Sequence, residues 1–233
     1  KTATAINLAY LASQEGMRTL VWDLDPQGAA TYYFRVKPKV KGGGKSLVRG
    51  KRDLESVVKG TDFENLDLLP ADFSFRNMDL VLEDAKKPTK QLTQLLRPLS
   101  DEYDYVFLDC PPSISLVSEN IFRAAEALLV PMIPTTLSAR TLHQLTDFLE
   151  GHALIGKLRV MPFFSMVDRR KRLHLDLMEQ LPERYPDMLA TSIPYASDVE
   201  RMGVNRMPLL AYAPSNPASK AYRALWEEVK AAL

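Results

Sequence analysis

Apolar positions along this chain follow two spacings, one typical of helices and one typical of buried strands. Between Thr2 and Ser13 they recur with the period of a helix, and Gly16 stands where that helix would end. Continuous apolar runs typical of buried strands come later, at residues 19–22, 66–70, 105–108, 127–131 and 158–162. Helical spacing returns between them, for example at residues 119–125 and 141–149. This alternation predicts an α/β fold, a mostly parallel twisted sheet with helices on both faces.

Acidic residues directly follow two of the predicted strands. Asp23 and Asp25 come after the run 19–22, and Asp109 comes after the run 105–108. Because ligands of open parallel sheets bind at the carboxyl ends of the strands, we expect the binding site there. Carboxylates in this place suit the holding of magnesium-bound water and the orienting of an attacking water. The alternative interpretation is purely structural: Asp25 would belong to an ordinary Asp-Pro turn, and Asp109 would be an ordinary aspartate that caps a strand.

Composition narrows the class of protein. With 233 residues, 46% of them hydrophobic, the chain can bury a sizeable core, and we expect one domain over residues 1–233. A formal net charge of +1 does not indicate a nucleic-acid binder, so such a role would depend on local basic patches. The single cysteine, Cys110, excludes a disulfide framework and is expected to pack beside the site rather than act as a nucleophile. No apolar run is long enough to span a membrane, and we expect a cytoplasmic protein.

The chain opens with Lys1-Thr2 at the predicted start of a helix, with no strand before it. Walker A phosphate loops end in Gly-Lys-Thr at a helix start. There the lysine reaches the β- and γ-phosphates, the threonine hydroxyl binds Mg²⁺ and helix amides surround the anion. We therefore expect the first strand and the loop glycines to precede Lys1. A Lys-Thr pair is common by chance, so this interpretation depends on motifs further along the chain.

A second segment looks like a phosphate loop and is interpreted differently. Residues 42–46 read Gly-Gly-Gly-Lys-Ser, but Lys39 stands where a Walker A loop has its first glycine, and no strand leads into the segment. Residues 37–52 carry seven basic residues and no acid. We interpret them as a mobile basic surface loop, with contact to phosphate backbones as a second role.

Six segments match one known family. Residues 23–28 read Asp-Leu-Asp-Pro-Gln-Gly, and residues 103–113 form an apolar strand that ends in Asp-Cys-Pro-Pro-Ser. The other matches are residues 1–9, 164–170, 193–194 and 216–223. Together they resemble the ParA/MinD family of P-loop ATPases, most of all its ParA-type partition ATPases. The resemblance runs from the first residue to the last, and it implies a P-loop NTPase of the SIMIBI type with a deviant Walker A loop.

The resemblance also implies an activity and partners. It implies an ATPase that binds ATP or ADP with Mg²⁺ and forms a homodimer around ATP. Hydrolysis would be slow until a ParB-like or cargo-adaptor protein stimulates it, and the ATP-bound dimer would bind DNA without sequence preference. The implied residue roles are phosphate contact and catalysis for Lys1, Mg²⁺ binding for Thr2, Asp23 and Asp109, support of hydrolysis for Asp25, and adenine contact for Met166 and Pro194.

A compact basic run is the predicted DNA surface. It consists of Arg169, Arg170, Lys171 and Arg172, and Arg170 matches an arginine of the family's Asp-x-Arg segment. One departure weakens the match, because residue 198, where the family has a basic residue, is an aspartate. Arg201 nearby is expected to substitute. DNA binding would associate the protein with the nucleoid, where it would segregate or position a plasmid, chromosome or other large cargo.

Other functions were weighed against this one. A MinD-like membrane-associated ATPase would need a C-terminal amphipathic helix, but the stripe in residues 222–233 is expected to pack inside the protein. An iron–sulfur electron carrier is excluded because one cysteine per chain cannot supply the cysteine pairs of a bridged cluster. A binding module without hydrolysis is disfavoured by the retained Asp23, Asp25 and Asp109.

Overall fold

The computed structural model describes residues 1–154 and 157–233. The strands, in chain order, are β1 (Thr19–Asp23), β2 (Lys59–Gly60), β3 (Leu66–Leu69), β4 (Tyr105–Asp109), β5 (Ala127–Met132) and β6 (Arg159–Phe164). The α-helices are α1 (Thr2–Gln14), α2 (Ala29–Tyr33), α3 (Gly43–Val48), α4 (Met78–Glu83), α5 (Gln91–Leu96), α6 (Leu116–Ala124), α7 (Thr136–Gly151), α8 (Arg172–Arg184), α9 (Ser197–Glu200), α10 (Met202–Asn205), α11 (Leu209–Tyr212) and α12 (Pro217–Ala232). Short 3₁₀ helices cover Glu55–Val57, Phe73–Asn77, Pro88–Lys90 and Arg97–Asp101.

The described chain divides into two compact units. Unit 1 contains residues 1–124 and 201–212, and unit 2 contains residues 125–200 and 213–233. All five strands predicted from the apolar runs are present, and the α/β fold with a mostly parallel sheet is confirmed. The expectation of a single domain over residues 1–233 stays a prediction.

Unit 1 is built on a four-stranded sheet in the order β2-β3-β1-β4. The central strand β1 is parallel to both β3 and β4, and all five of its residues are buried. The edge strand β2 is antiparallel to β3 and was not predicted. Because its two residues, Lys59 and Gly60, are exposed, they carry no apolar signal by which a sequence pattern would mark a strand.

Helix α1 packs against β1 and β4, and Gly16, the glycine expected to close it, caps it two residues after its last residue, Gln14. Gly16 has φ of 84° and donates to the carbonyl of Ser13, while the Met17 N–H donates to the carbonyl of Ala12. These two bonds form a Schellman cap, which requires the left-handed backbone that glycine adopts without strain. The cap turns the chain directly into β1, the strand that ends at the site.

Unit 2 contains the parallel pair β5 and β6, whose register joins Ala127 to Arg159 and Met132 to Phe164. Helix α7 begins at an N-cap, where the Thr135 hydroxyl accepts from the Ser138 N–H. In α12 the predicted apolar stripe is buried at Tyr222, Leu225, Trp226 and Val229. Its last member, Leu233, is exposed, so the stripe ends one turn earlier than predicted.

The interpretation of residues 37–52 as a mobile loop is wrong for their central part, which forms helix α3 with Leu47 and Val48 buried. Backbone conformation or packing requires glycine at all three positions. Gly42 and Gly43 have φ of 88° and 64°, and a Cβ on Gly44 would lie 2.7 Å from the Met78 Cε. The glycine run therefore forms the tight turn at the start of α3. This arrangement agrees with the prediction that the segment is not the phosphate loop.

In the described part of the chain, the helices are all too short or too polar to cross a lipid bilayer.

Candidate functional site

Two aspartates occupy the ends of neighbouring strands. Asp23 is the last residue of β1, Asp109 is the last residue of β4, and the parallel register places them directly opposite each other. The chain continues the pairing one step further, since the Leu24 N–H donates to the Asp109 carbonyl at 3.0 Å. Both side chains are almost fully buried, with exposed fractions of 0% for Asp23 and 2% for Asp109. The predicted meeting of these carboxylates at one edge of the sheet is confirmed.

Asp23 is held by the first turn of α2. Its Oδ2 accepts from the Thr31 N–H at 2.8 Å and from the Thr31 hydroxyl at 2.7 Å. Because Thr31 is the third residue of the helix, its N–H has no intrahelical partner, and Asp23 satisfies it from the strand. Gly28, with φ of 66°, makes the turn that brings α2 back over β1. Burial raises the pKa of Asp23, and the bonds from Thr31 oppose that rise.

Asp109 lies beside the start of α1. Burial raises its pKa to about 6; a hydrogen bond from the Thr2 side chain lowers the pKa, and the nearby charge of Asp23 raises it. Thr2 is the first residue of α1, and Lys1 is its exposed N-cap. The amides of the first helical turn have no intrahelical acceptors, so this helix start offers both donors and a favourable dipole to an anion.

Asp25 lies two residues beyond Asp23 in the turn that leads to α2. Its Oδ1 accepts from the Gln27 N–H at 2.9 Å, and its carbonyl accepts from the Gly28 N–H at 2.9 Å. The side chain is half-buried, and its charge contributes to the raised pKa values of both Asp23 and Asp109. Asp25 is thus close to the paired aspartates and remains accessible to solvent.

Cys110 follows Asp109 and matches its expected packing role. Its thiol donates to the Leu108 carbonyl at 3.2 Å. Burial raises the pKa of the thiol to about 12, and the charge of Asp109 raises it further while Lys1 opposes the rise. A thiol with this pKa is protonated near neutral pH and is a poor nucleophile.

The oxygen atoms of this site fit a divalent cation whose coordination is completed by other ligands. Asp23 Oδ1 and Asp109 Oδ2 are buried and have no hydrogen-bond partner within the described residues, although neighbouring polar groups satisfy the rest of both carboxylates. Over residues 1–154 and 157–233, no cluster of three or more histidine, cysteine or acidic side chains is arranged as a metal site. Two carboxylates and a threonine hydroxyl match Mg²⁺, which takes few protein ligands and keeps waters and substrate phosphates around it.

The two residues expected at the adenine lie in unit 2. Val167, the neighbour of Met166, forms a parallel bridge with Pro194, and the Tyr195 N–H donates to the Val167 carbonyl at 2.9 Å. Met166 has φ of 56° and its side chain is 45% exposed. The structure thus brings Met166 and Pro194 into adjoining backbone segments, and their role at the nucleotide stays a prediction.

The predicted DNA surface is partly neutralised. Arg170 makes a two-pronged ion pair with Asp168, at 2.9 Å for each nitrogen, and Arg172 pairs with Asp176 at 2.8 Å. That leaves Arg169 and Lys171, both exposed, as the cations of the run without an ion pair among the described residues. Arg201 is exposed and belongs to unit 1.

One site residue was missed from the sequence. Thr31 not only donates to Asp23 but also accepts from the Ala71 N–H at 2.8 Å through its hydroxyl, so it links β1, α2 and the segment after β3. Its position eight residues after Asp23 gives no local signal, because the contact depends on how Gly28 turns the chain. A threonine at the third position of a helix that follows a strand-end aspartate is the clue that was available.

Comparison with known proteins places the chain in a family. A family model described as an AAA domain matches residues 1–154. An uncharacterized protein of Pseudomonas putida is 32% identical over 98% of this chain and 89% of its own length. The sporulation initiation inhibitor protein Soj of Bacillus subtilis is 26% identical over 99% of this chain and 93% of its own length.

Solved structures show the same fold at lower identity. Cobyrinic acid a,c-diamide synthase of Mycobacterium smegmatis, solved with an ATP analog and magnesium, has a TM-score of 0.83 at 24% identity, covering 97% of this chain and 87% of that one. The cell division ATPase MinD of Pyrococcus furiosus has a TM-score of 0.78 at 20% identity, covering 100% of this chain and 93% of that one. These structures share the fold, and the family match over residues 1–154 together with the similarity to Soj shows that the chain belongs to the ParA/MinD family of P-loop ATPases.

Proposed function

We propose that this protein is a ParA-type ATPase that binds Mg-ATP, dimerises in the ATP-bound state and uses slow, partner-stimulated hydrolysis to segregate or position a large cargo. The observation that carries the proposal is the register pair Asp23–Asp109 next to Thr2. Among residues 1–154 and 157–233, one buried oxygen of each carboxylate has no hydrogen-bond partner. An arrangement with unsatisfied buried acceptors is costly unless a cation completes it. The inference that the protein moves a large cargo comes from its similarity to Soj and MinD.

Different residues of unit 1 have different roles in phosphoryl transfer. When bound, Mg²⁺ supplies charge neutralisation and orientation of phosphate oxygens. Lys1 and the first-turn amides of α1 would bind the phosphates, and Thr2, Asp23 and Asp109 would hold the ion directly or through water. Asp25, which is close by and half-exposed, orients the attacking water. Thr31 fixes Asp23 so that its free oxygen keeps a constant position.

Dimerisation and partner stimulation belong to the same proposal. Ile114, five residues after Asp109 in the segment between β4 and α6, is a large aliphatic side chain that is 48% exposed. A second copy of the chain that binds across the nucleotide would cover it. DNA binding by the dimer would bring the protein to the nucleoid, and a ParB-like or cargo-adaptor protein would set the rate of hydrolysis.

A MinD-like membrane role remains the second candidate because MinD shares the fold. The structure disfavours α12 as the membrane-binding element, since Tyr222, Leu225 and Trp226 are 2% exposed or less. A membrane-surface helix needs its apolar face free to enter the lipid.

Light scattering and phosphate release on the full-length protein test the proposal. With ATP and Mg²⁺ we expect the mass of a dimer, and with ADP the mass of a monomer. Asp25→Ala should slow hydrolysis and prolong the dimer, whereas the control Asp187→Ala, an exposed aspartate of unit 2, should behave as wild type. Equal masses in both nucleotides, or hydrolysis unaffected by Asp25→Ala, would count against this function.

A further inference from the structure

The segment before and within α3 presents a dense set of cations. We call Lys37, Lys39, Lys41, Lys45, Arg49 and Lys51 the basic surface. All six are exposed, and the sequence from residue 37 to residue 52 contains no acid. Lys45 and Arg49 are four residues apart along α3 and its cap, so they share one face of the helix.

This segment is fixed to unit 1. The Val40 N–H donates to Asp72 Oδ2 at 2.8 Å, and the Gly44 N–H donates to Ser74 Oγ at 2.9 Å. Leu47 is completely buried. The cations are therefore carried by an ordered backbone, which reduces the entropy lost when they bind a ligand.

The charges of the basic surface are largely uncompensated. Within the described residues, no ion pair involves any of its six side chains. Three acids lie close to it: Asp72, whose carboxylate lies near Lys39; Asp84, which lines a groove of about 420 Å³ with Lys45 and Arg49; and the exposed Asp53, two residues after Lys51. Six cations against these three acids leave a positive excess, whereas half of the run at residues 169–172 is paired.

The chemistry of the surface favours a phosphodiester backbone over an acidic protein. Protein interfaces gain most of their affinity from apolar or aromatic anchors at their centre. The large apolar residues of this segment, Val40, Leu47 and Val48, are buried, so the segment itself offers charge without anchors. Leu80 is exposed in the groove beside Lys45 and Arg49, but one aliphatic side chain among six cations does not make the apolar centre of a protein interface. Lysine and arginine spread over several turns of chain match the repeated phosphates of a duplex and read no sequence.

We propose that the basic surface is the main contact of this protein with the phosphate backbone of double-stranded DNA. The proposal rests on the DNA binding included in the proposed function, and it moves the principal contact from residues 169–172 to residues 37–51. Arg169 and Lys171 then make a lesser contribution.

The test measures binding of the full-length protein, with a non-hydrolysable ATP analogue, to a random-sequence duplex over a series of salt concentrations. One variant combines Lys41→Ala and Lys45→Ala, a second combines Arg169→Ala and Lys171→Ala, and the control removes two exposed lysines of unit 2, Lys157 and Lys220. Each lost phosphate contact lowers the slope of log K against log salt by about 0.9. We therefore expect a slope change of about 1.8 and a loss of about ten-fold or more for the first variant, and smaller changes for the others. Circular dichroism checks that each variant folds.

The outcomes separate the inference from the proposed function. If the wild-type protein does not bind the duplex, DNA binding itself is rejected. If it binds and only the Arg169–Lys171 variant weakens, the basic surface is rejected while the function stands. If the Lys41–Lys45 variant binds DNA as wild type but no longer responds to a stimulating protein, the surface belongs to an acidic protein partner, and the inference is overturned.

Discussion

Asp23 and Asp109 face each other in the register of two parallel strands, each as the last residue of its strand and each with one buried oxygen that has no hydrogen-bond partner in the described part of the chain. Burial raises the pKa of both carboxyls, and the hydrogen bonds from Thr31 and from Thr2 oppose that rise only in part. A bound magnesium ion would reverse that effect. The pair is thus unfavourable for the isolated fold and suited to the ligand, as functional sites often are.

Asp109→Asn should weaken magnesium-dependent hydrolysis more than nucleotide binding. The amide keeps the shape of the side chain but loses the charge that orients metal-bound water, and changes of this kind cost about 10- to 100-fold in activity. Phosphate release with and without EDTA, together with ATP binding by titration calorimetry, measures both effects. If the variant hydrolyses ATP at the wild-type rate, Asp109 has no role in the reaction.

The stability of the ligand-free protein should depend on pH through Asp109. Its pKa is about 6 in the folded protein against an ordinary value of 3.8, so the folded state binds this proton more tightly than the unfolded state. The resulting stabilisation is complete below the ordinary value and is lost as pH rises through about 6, and it amounts to at most about 3 kcal/mol. Urea unfolding without Mg²⁺ should therefore show wild type losing stability relative to Asp109→Asn over this range. Asp187→Asn is the control, and parallel curves for wild type and Asp109→Asn would contradict the prediction.

Thr31→Val should destabilise unit 1 and disturb Asp23. The change keeps the branched shape but removes the hydroxyl that donates to Asp23 and accepts from the buried Ala71 N–H. Loss of a buried partner costs about 1–3 kcal/mol. Thr31→Ser, which keeps the hydroxyl, should cost less, and chemical denaturation of the two variants measures the difference. If serine and valine are equally damaging, the hydroxyl is not the cause.

Gly44→Ala should destabilise the packing of α3 on α4. The new methyl group would lie 2.7 Å from Met78 Cε and 3.1 Å from Phe75 Cδ1, so these side chains must move at a cost of about 1–3 kcal/mol. Gly151→Ala, where a Cβ meets nothing within 4 Å, is the matched control. Combining Gly44→Ala with Met78→Ala should recover part of the loss in a double-mutant cycle, and strict additivity would show that the contact is not the cause.

The sequence by itself determined the parts of this protein that depend on local pattern and motif. Apolar runs indicated β1 and β4, helical spacing indicated α1 with its glycine cap, and the motifs around the strand-end aspartates indicated the family and that Asp23 and Asp109 lie together. These succeed because buried strands and capped helices impose short-range constraints that one segment satisfies alone.

Only the tertiary structure decided which groups from different parts of the chain come into contact. It placed Thr31 on Asp23 and tied α3 to Asp72 and Ser74. Arg170 and Arg172 pair with acids only two and four residues away, a spacing that allows such a contact without deciding whether it forms. A hydrogen bond or ion pair between side chains depends on where turns and packing carry them, and spacing along the chain does not specify that. For this reason a glycine-rich basic segment that reads as a loop becomes a helix, and a basic run that reads as a DNA surface loses half of its free charge.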